Sequence, residues 1–368
     1  SYQTAYLKAH YPVEFLAASM TLDMANTDKL ADFRQDALRL GINVVPPSVQ
    51  TSFRAFEVGE NTIYYSLAAL KGVGDAAVDH IVEKRKDGPF KSLADFCERI
   101  DPKIVGKRVF ESLIMAGALD CFGHDRAAMM AGVERMMGLA ALAQQNAVSG
   151  QHDIFGASLG AQSQALALPS VEPWLPAERL HREFQVVGFY LSAHPLDEYR
   201  KALEKMRVQS WAEFSAAVKR GATAGRLAGT VTSKQERKTR TGNKMGVVNL
   251  SDTSGQYEAV LFSETLAQYR DLLEPGKSVV ITVSAEDRPE GVNLRIQTVQ
   301  SLEDEASRIQ KQLRIFVRDA APVNALANHL SVKGEGQVSF VLIKENGAGE
   351  VEIALPDRYR ISPQLASA

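Results

Sequence analysis

At Gly225 the hydrophobic period of the chain changes, and that break limits what it can fold into. Upstream, apolar residues recur three and four apart: Leu30, Phe33, Ala37 and Leu40 in one stretch, Met129, Val133, Met136, Met137 and Ala140 in another. Such spacing lines one face of a helix. Downstream, short blocks suited to strands follow at 226–233, 245–250, 257–262, 278–284 and 293–299, with a helical stretch at 264–273 after the third. At 368 residues the chain is long for one domain, so two to four are expected. The pattern specifies a multidomain α+β chain, helical first and strand-rich later.

Residues 67–85, LAALKGVGDAAVDHIVEKR, read as a helix, a Gly-Val-Gly turn and a second helix. Gly72 and Gly74 have access to backbone angles closed to other residues. The turn exposes backbone N–H groups just before a helix N-terminus, which suits a phosphate oxygen. Leu70, Gly72, Val73 and Gly74 make the helix-hairpin-helix pattern, whose usual partner is a DNA backbone held without reading its sequence. The plainer alternative is a tight turn between packed helices. Lys71, Lys84 and Arg85 supply charge beside the turn, although each taken singly fits an ordinary exposed face. Lys103, Lys107 and Arg108 precede a helix carrying Phe110, Leu113 and Ile114. This is a degenerate second hairpin that lacks one glycine, and it reads as core packing.

Residues 5–40 are mostly helical, broken at Pro12, with Thr27 expected as an N-cap and Gly41 as a C-terminal stop. Phe53, Phe56 and Val58 follow as half-buried strand residues. Residues 126–146 read as one long amphipathic helix. In the segment Gln151-His152-Asp153-Ile154-Phe155, two adjacent apolar residues stand at the front of a polar stretch. Either the pair tucks back on the preceding helix or it docks in a partner's pocket. His194 before Pro195 sits in an apolar block and reads as structural. Three strands, a helix and two strands are the order of an OB-fold barrel, which commonly binds single strands. Lys234, Arg237, Lys238, Arg240 and Lys244 place five cations in the stretch between its first two strands, and Tyr257 and Phe262 are its stacking candidates.

A formal net charge of -2 means that any basic surface must be local. Cys97 and Cys121 lack metal-ligand spacing and a disulfide framework, which fits a reducing cytoplasm. No apolar run reaches membrane-span length, and no signal-peptide pattern is present. Glu303-Asp304-Glu305 opens a helix, where carboxylates are favourable, and no paired carboxylates suggest a two-metal centre. The chain begins Ser1-Tyr2-Gln3 and goes straight into helical pattern, so a fragment of something longer is expected.

SYQTAYLKAHYPVEFLAA, then NVVPP, then LKGVG resemble, in family order, the alpha subunits of bacterial DNA polymerase III, the replicative C-family polymerases. The resemblance implies the end of a fingers region (1–60), a helix-hairpin-helix domain with a long helix (61–148) and a clamp-binding motif with linker (149–180). A helical connector (181–220), an OB-fold (221–303) and a C-terminal module without a clear finishing element (304–368) would follow. The whole subunit would be a DNA-directed DNA polymerase using magnesium, with its catalytic carboxylates upstream, so this chain alone would be inactive. The implied partners are duplex DNA, single-stranded DNA, the beta sliding clamp, the tau subunit of the clamp loader and the other core subunits. By the same resemblance Gln151 hydrogen-bonds at one clamp subsite, Ile154 and Phe155 fill the apolar one, and Asp153 occupies a variable position. Two rival readings are an error-prone polymerase of the same family, which ends nearer the OB-fold, and a DNA-binding scaffold that is not an enzyme.

Overall fold

A computed structural model describes residues 2–149, 166–238, 244–289, 291–309, 311–318, 323, 330, 334–343 and 350–361. The chain divides into two compact units, Ser1–Ser192 and Ala193–Ala368.

The first unit opens with α1 (Tyr2–His10), α2 (Pro12–Leu22) and α3 (Thr27–Arg39). The cap of α3 is Asn26, not Thr27: its side chain accepts the Lys29 N–H at 3.1 Å, and Thr27 is the first helical residue. Gly41 follows the C-cap at φ +73°, the left-handed angle a helix stop needs. Three short strands, β1 (Asn43–Val45), β2 (Glu57–Gly59) and β3 (Thr62–Tyr64), form a sheet with β3 in the middle, parallel to β1 and antiparallel to β2. Of the three residues expected to be half-buried there, Phe56 is buried while Phe53 and Val58 are exposed.

The unit continues with α4 (Asp75–Arg85), α5 (Leu93–Arg99) and α6 (Lys107–Met115). Then come α7 (Arg126–Ala131), α8 (Val133–Ser149) and α9 (Pro176–Val187). The expected helix 126–146 is thus two helices. They break at Gly132, where a side chain would collide with Leu168 and Pro169 folding back across the joint. One core runs through the unit from Leu16 to Leu191, with Phe90 and Phe110 packed on either side of Phe96 edge to face.

In the second unit, a 3₁₀ turn at Asp197–Tyr199 leads into α10 (Arg200–Lys205) and α11 (Trp211–Val218). Five strands then form a closed barrel in the order β4-β5-β6-β8-β7: β4 (Ala224–Lys238), β5 (Lys244–Asp252), β6 (Gly255–Phe262), β7 (Ser278–Arg288) and β8 (Gly291–Ser301). Between β6 and β7, α12 (Ser263–Tyr269) runs on as a 3₁₀ turn. Closure by β4 with β7 leaves the inner face to Leu227, Val248, Leu250, Ala259, Leu261, Ile281 and Ile296. This is the OB-fold arrangement that the element order predicts.

The acidic residues 303–305 open α13 (Leu302–Ile309), as expected, and bind arginines: Arg360 lies 3.4 Å from Glu303 and 2.5 Å from Asp304, and Arg226 3.1 Å from Glu305. A last sheet, β11-β10-β9, is built from β9 (Gln312–Val317), β10 (Gly336–Ile343) and β11 (Glu350–Tyr359), with β9 and β10 parallel. The sequence pattern predicts a helix at 323–330 and a turn at Asn346-Gly347, and both fall largely outside the described residues.

Candidate nucleic-acid interface

The segment before Gly72 is not the helix its sequence suggests. Its backbone groups are taken by other partners: Leu67 donates to the Phe53 carbonyl at 2.9 Å and Lys71 to the Val186 carbonyl at 2.8 Å. The Ser66 hydroxyl accepts the N–H groups of Ala68 and Ala69. A side chain offering the backbone such bonds competes with helix formation, and here it prevails.

The two glycines of the motif do different jobs. Gly72 has φ +89°, and a Cβ there would lie 2.8 Å from Ser112 Oγ and 3.3 Å from Arg108 Nε. Ser112 also donates to the Lys71 carbonyl at 2.9 Å. Gly72 is therefore demanded by the packing of α6 against the turn. Gly74 caps α4 in an ordinary extended conformation, φ -85° and ψ 157°, so it does not use the left-handed freedom expected of it. A Cβ at Gly74 would meet nothing within 4 Å. No side chain caps α4, so its first N–H groups have no side-chain acceptor.

The second hairpin is better formed than its sequence suggests. Gly106 caps α6 at φ -76° and ψ 176°, again without a side-chain cap, and a Cβ there would come no nearer than 3.9 Å to any atom. Lys71-Gly72-Val73-Gly74 and Lys103-Ile104-Val105-Gly106 correspond position by position, each with its valine buried. Ile104 is tolerated where the first turn has Gly72 because its backbone stays at negative φ and its side chain is exposed. The legible signal was a lysine three residues before a Val-Gly helix start. Requiring two glycines hid it.

Charge around the turns is uneven. Lys71, Lys103 and Arg108 are exposed and Lys84 is half-buried. Lys107 pairs with Glu134, and Arg54 pairs with Asp75 in the first turn of α4. Arg85 is turned inward: its Nη1 donates to the carbonyls of Val49 (2.8 Å) and Ser52 (2.9 Å), and its guanidinium lies 4.5 Å from the centre of the Phe53 ring. Burial lowers its pKa, and its role in the fold is to pin the loop 49–53 to α4. His80 accepts the Asp101 N–H at 2.9 Å, tying α4 to the approach of the second hairpin. Burial first, and then Lys84, hold its pKa down and its ring neutral.

On the barrel, the five cations do not form one flexible loop. β4 extends to Lys238 and β5 starts at Lys244, so Lys234, Arg237, Lys238 and Lys244 are strand residues, and Arg240 lies outside the described residues. Lys234 is only 11% exposed and pairs with Glu274, which removes it from any surface patch. Lys238 and Lys244 are directly opposite each other across the hairpin. Two like charges in that register repel, and an anion between them relieves the repulsion. Arg237, Met245 and Phe262 form the neighbouring cross-strand row, on one face of the sheet. Phe262 is 39% exposed, with the Arg295 guanidinium 4.6 Å from its ring centre. Tyr257, the other stacking candidate, is buried: its hydroxyl donates to the Ala228 carbonyl at 3.1 Å and its ring stacks on Trp211.

Gln151, Asp153, Ile154 and Phe155 lie outside the described residues. The flanks do not: α8 reaches Ser149, and on the return Leu166 and Leu168 pack against the core while the Ala167 carbonyl accepts from Arg135 at 2.7 Å. His194 is structural, as its surroundings suggest: Nδ1 accepts the Leu196 N–H at 3.1 Å and Nε2 lies 3.2 Å from Ser251 Oγ. Cys97 is buried, which pushes its thiol up to about 12. Among the described residues no three His, Cys, Asp or Glu side chains are grouped to hold a metal ion.

A family described as a helix-hairpin-helix motif matches residues 41–129, and one described as an OB-fold nucleic acid binding domain matches residues 226–302. DNA polymerase III subunit alpha of Caulobacter vibrioides is 40% identical over 374 residues, covering 100% of this chain and 32% of its own length. The subunit of Vibrio cholerae is 39% identical and that of Escherichia coli strain K12 32%, each covering 99% of this chain and 32% of the relative. The chain thus spans about a third of the length of the curated relatives it matches. With a matching domain in each unit, the chain is similar along its whole length to about a third of the length of the DNA polymerase III alpha subunits.

Proposed function

We propose that this chain is the DNA-holding and clamp-tethering part of a replicative DNA-directed DNA polymerase. The observation that carries the reading is the pair of uncapped helix starts at Gly74 and Gly106, brought together by the packing of Arg108 and Ser112 against Gly72. Two sets of outward N–H groups, each near exposed lysine or arginine, suit two phosphates of a duplex backbone. Lys71, Gly72, Val73, Gly74 and Lys84 belong to this contact, joined by Gly106 and Arg108. Arg85 supports it from within.

A single strand is the partner of the barrel, across the face formed by β4, β5 and β6. Phe262 and Arg295 offer a stacking surface, and Arg237, Lys238, Lys244 and Arg240 the phosphate contacts. Phe262→Ala is expected to weaken binding of a labelled oligothymidylate about five-fold while leaving duplex affinity unchanged, because base stacking is worth roughly 1–3 kcal/mol. Fluorescence anisotropy on both probes measures this, and equal losses on both would contradict it.

The sliding clamp is the partner of Gln151, Ile154 and Phe155, with Asp153 between them at a variable position. Anchored flanks at Ser149 and Leu166 would keep this motif attached to the hairpin unit on both sides. Burial of each apolar side chain contributes roughly 1.5–3 kcal/mol, which after ordering costs gives micromolar-order peptide affinity. Gln151→Ala with Phe155→Ala is expected to abolish clamp binding in surface plasmon resonance and to leave the DNA affinity of the chain intact. Retained clamp binding would remove the motif from the mechanism. The tau subunit and the other core subunits are the further proposed partners, tau through residues 304–368.

Nucleotide addition with magnesium is an activity of the longer protein.

A further inference from the structure

In the second unit, the 3₁₀ turn and α10, the start of α11, β4 and the β5–β6 turn enclose an open cavity of about 340 Å³. Its floor is apolar: Leu196 and Ala228 are buried, and Leu203 and Val208 pack half-buried on the same small core. Its rim is acidic: Asp197, Glu204, Glu213 and Asp252 line it, with Arg200 the one cation among the lining residues. The lining therefore carries a formal excess of three negative charges.

Those carboxylates are not equally available. Asp252 accepts the N–H groups of Trp211 (2.5 Å), Ser254 (2.8 Å) and Gly255 (2.9 Å), and Asp197 accepts the His194 N–H at 2.8 Å, so both are occupied in holding loops. Glu213 is fixed by a capping box: its Oε2 receives the Ser210 N–H and hydroxyl, both at 2.9 Å, which leaves Oε1 open. These bonds also pull its pKa down, so it is charged at neutral pH. Glu204 is exposed on α10 and keeps both oxygens. An anionic rim over an apolar floor repels a nucleic-acid backbone. It suits a cation on a long aliphatic stem, which lays its methylenes on apolar surface and its head among carboxylates. The volume falls at the lower end of the roughly 300–1,000 Å³ of ligand pockets, room for one such side chain and its neighbour.

We propose that this groove docks a basic segment of a partner protein, seating an arginine or lysine stem on Leu203 and Val208 with its cation between Glu204 and Glu213. The site shares no residue with the proposed DNA and clamp contacts and stands whether or not those hold.

The test uses the full chain with methyl-labelled leucine, valine and alanine. The probe is the peptide acetyl-Leu-Arg-Leu-Arg-Leu-amide, and its control has citrulline at both arginines. The expected result is saturable shifts confined to the methyls of Leu196, Leu203, Val208 and Ala228, with the citrulline peptide at least about five-fold weaker. The double variant Glu204→Gln, Glu213→Gln is expected to lose affinity by a similar factor. Glutamine preserves the capping box, so the start of α11 stays in place. The proposal is overturned by the absence of saturable shifts, by equal binding of the citrulline peptide, by undiminished binding in the variant, or by an oligothymidylate that shifts the same methyls.

Discussion

Aspartate at both Gly74 and Gly106 is expected to lower duplex affinity by about ten-fold at each site without any loss of stability. The two effects take opposite signs for one reason. Both positions are N-caps in extended conformation with room for a side chain, and neither helix has a side-chain cap. Aspartate is a strong N-cap, so it would satisfy an orphan N–H and complement the helix dipole, leaving each helix as stable or a few tenths of a kcal/mol more so. The same carboxylate would occupy the space proposed for a phosphate and repel it. Fluorescence anisotropy with a short duplex over a salt series, alongside urea unfolding, separates the two. Serine at the same positions is the control, since it caps without adding charge and should cost less affinity. If affinity were unchanged, or fell only as far as stability did, the helix starts would not be phosphate sites. Gly72→Ala should behave in the opposite way, losing stability, because its left-handed angle and the nearby Ser112 Oγ leave no room for a methyl group.

The contrast between Gly72 and Gly74 also shows how far the sequence could be read. The Gly-Val-Gly pattern located the turn, because few sequences place two glycines around a buried valine just before a helix. It did not reveal that one glycine serves packing and the other open space, since that depends on Arg108 and Ser112, almost 40 residues later. Ile104 hid the second hairpin for the same reason. On the barrel, alternation gave the strand order, but strand ends are set by cross-strand pairing. β4 and β5 pair as far as Lys238 with Lys244, which turned four expected loop cations into strand residues. Lys234 and Arg85 were legible as charges but not as partners of Glu274 and of the Val49 and Ser52 carbonyls. A positive charge reads the same in sequence whether it faces solvent or closes a loop.

Leucine in place of Arg126 is expected to destabilise the first unit by about 3–5 kcal/mol. Arg126 is only 7% exposed and holds Asp120 in a fork, Nε to Oδ1 at 2.8 Å and Nη2 to Oδ2 at 2.6 Å. Its Nη1 donates to the Met115 carbonyl at the end of α6 (3.1 Å) and lies 3.8 Å from the carboxylate of Glu183. Glu183, on α9, is 1% exposed and accepts the N–H groups of Leu191 and Ser192. Without the guanidinium this buried carboxylate loses its nearby opposite charge, and that penalty, more than the lost bonds, sets the size of the effect. Gly117 is fixed by the same cluster, because a Cβ at its φ of +77° would run into the Arg126 guanidinium. If the stranded charge dominates, Glu183→Gln should rescue about half of the loss in the double variant, since glutamine keeps an acceptor for Leu191 and Ser192 but carries no charge. With two units in the chain, a single unfolding curve would mix their transitions, so amide exchange along α6 and α9 is the measurement. A loss below about 1 kcal/mol would mean that the cluster is dispensable, and a full loss with none recovered on adding Glu183→Gln would mean that the stranded charge does not set its size. Because this cluster grips the end of α6, whose start is Gly106, the second hairpin should loosen with it, and duplex affinity should fall even though none of these residues faces the proposed phosphate sites.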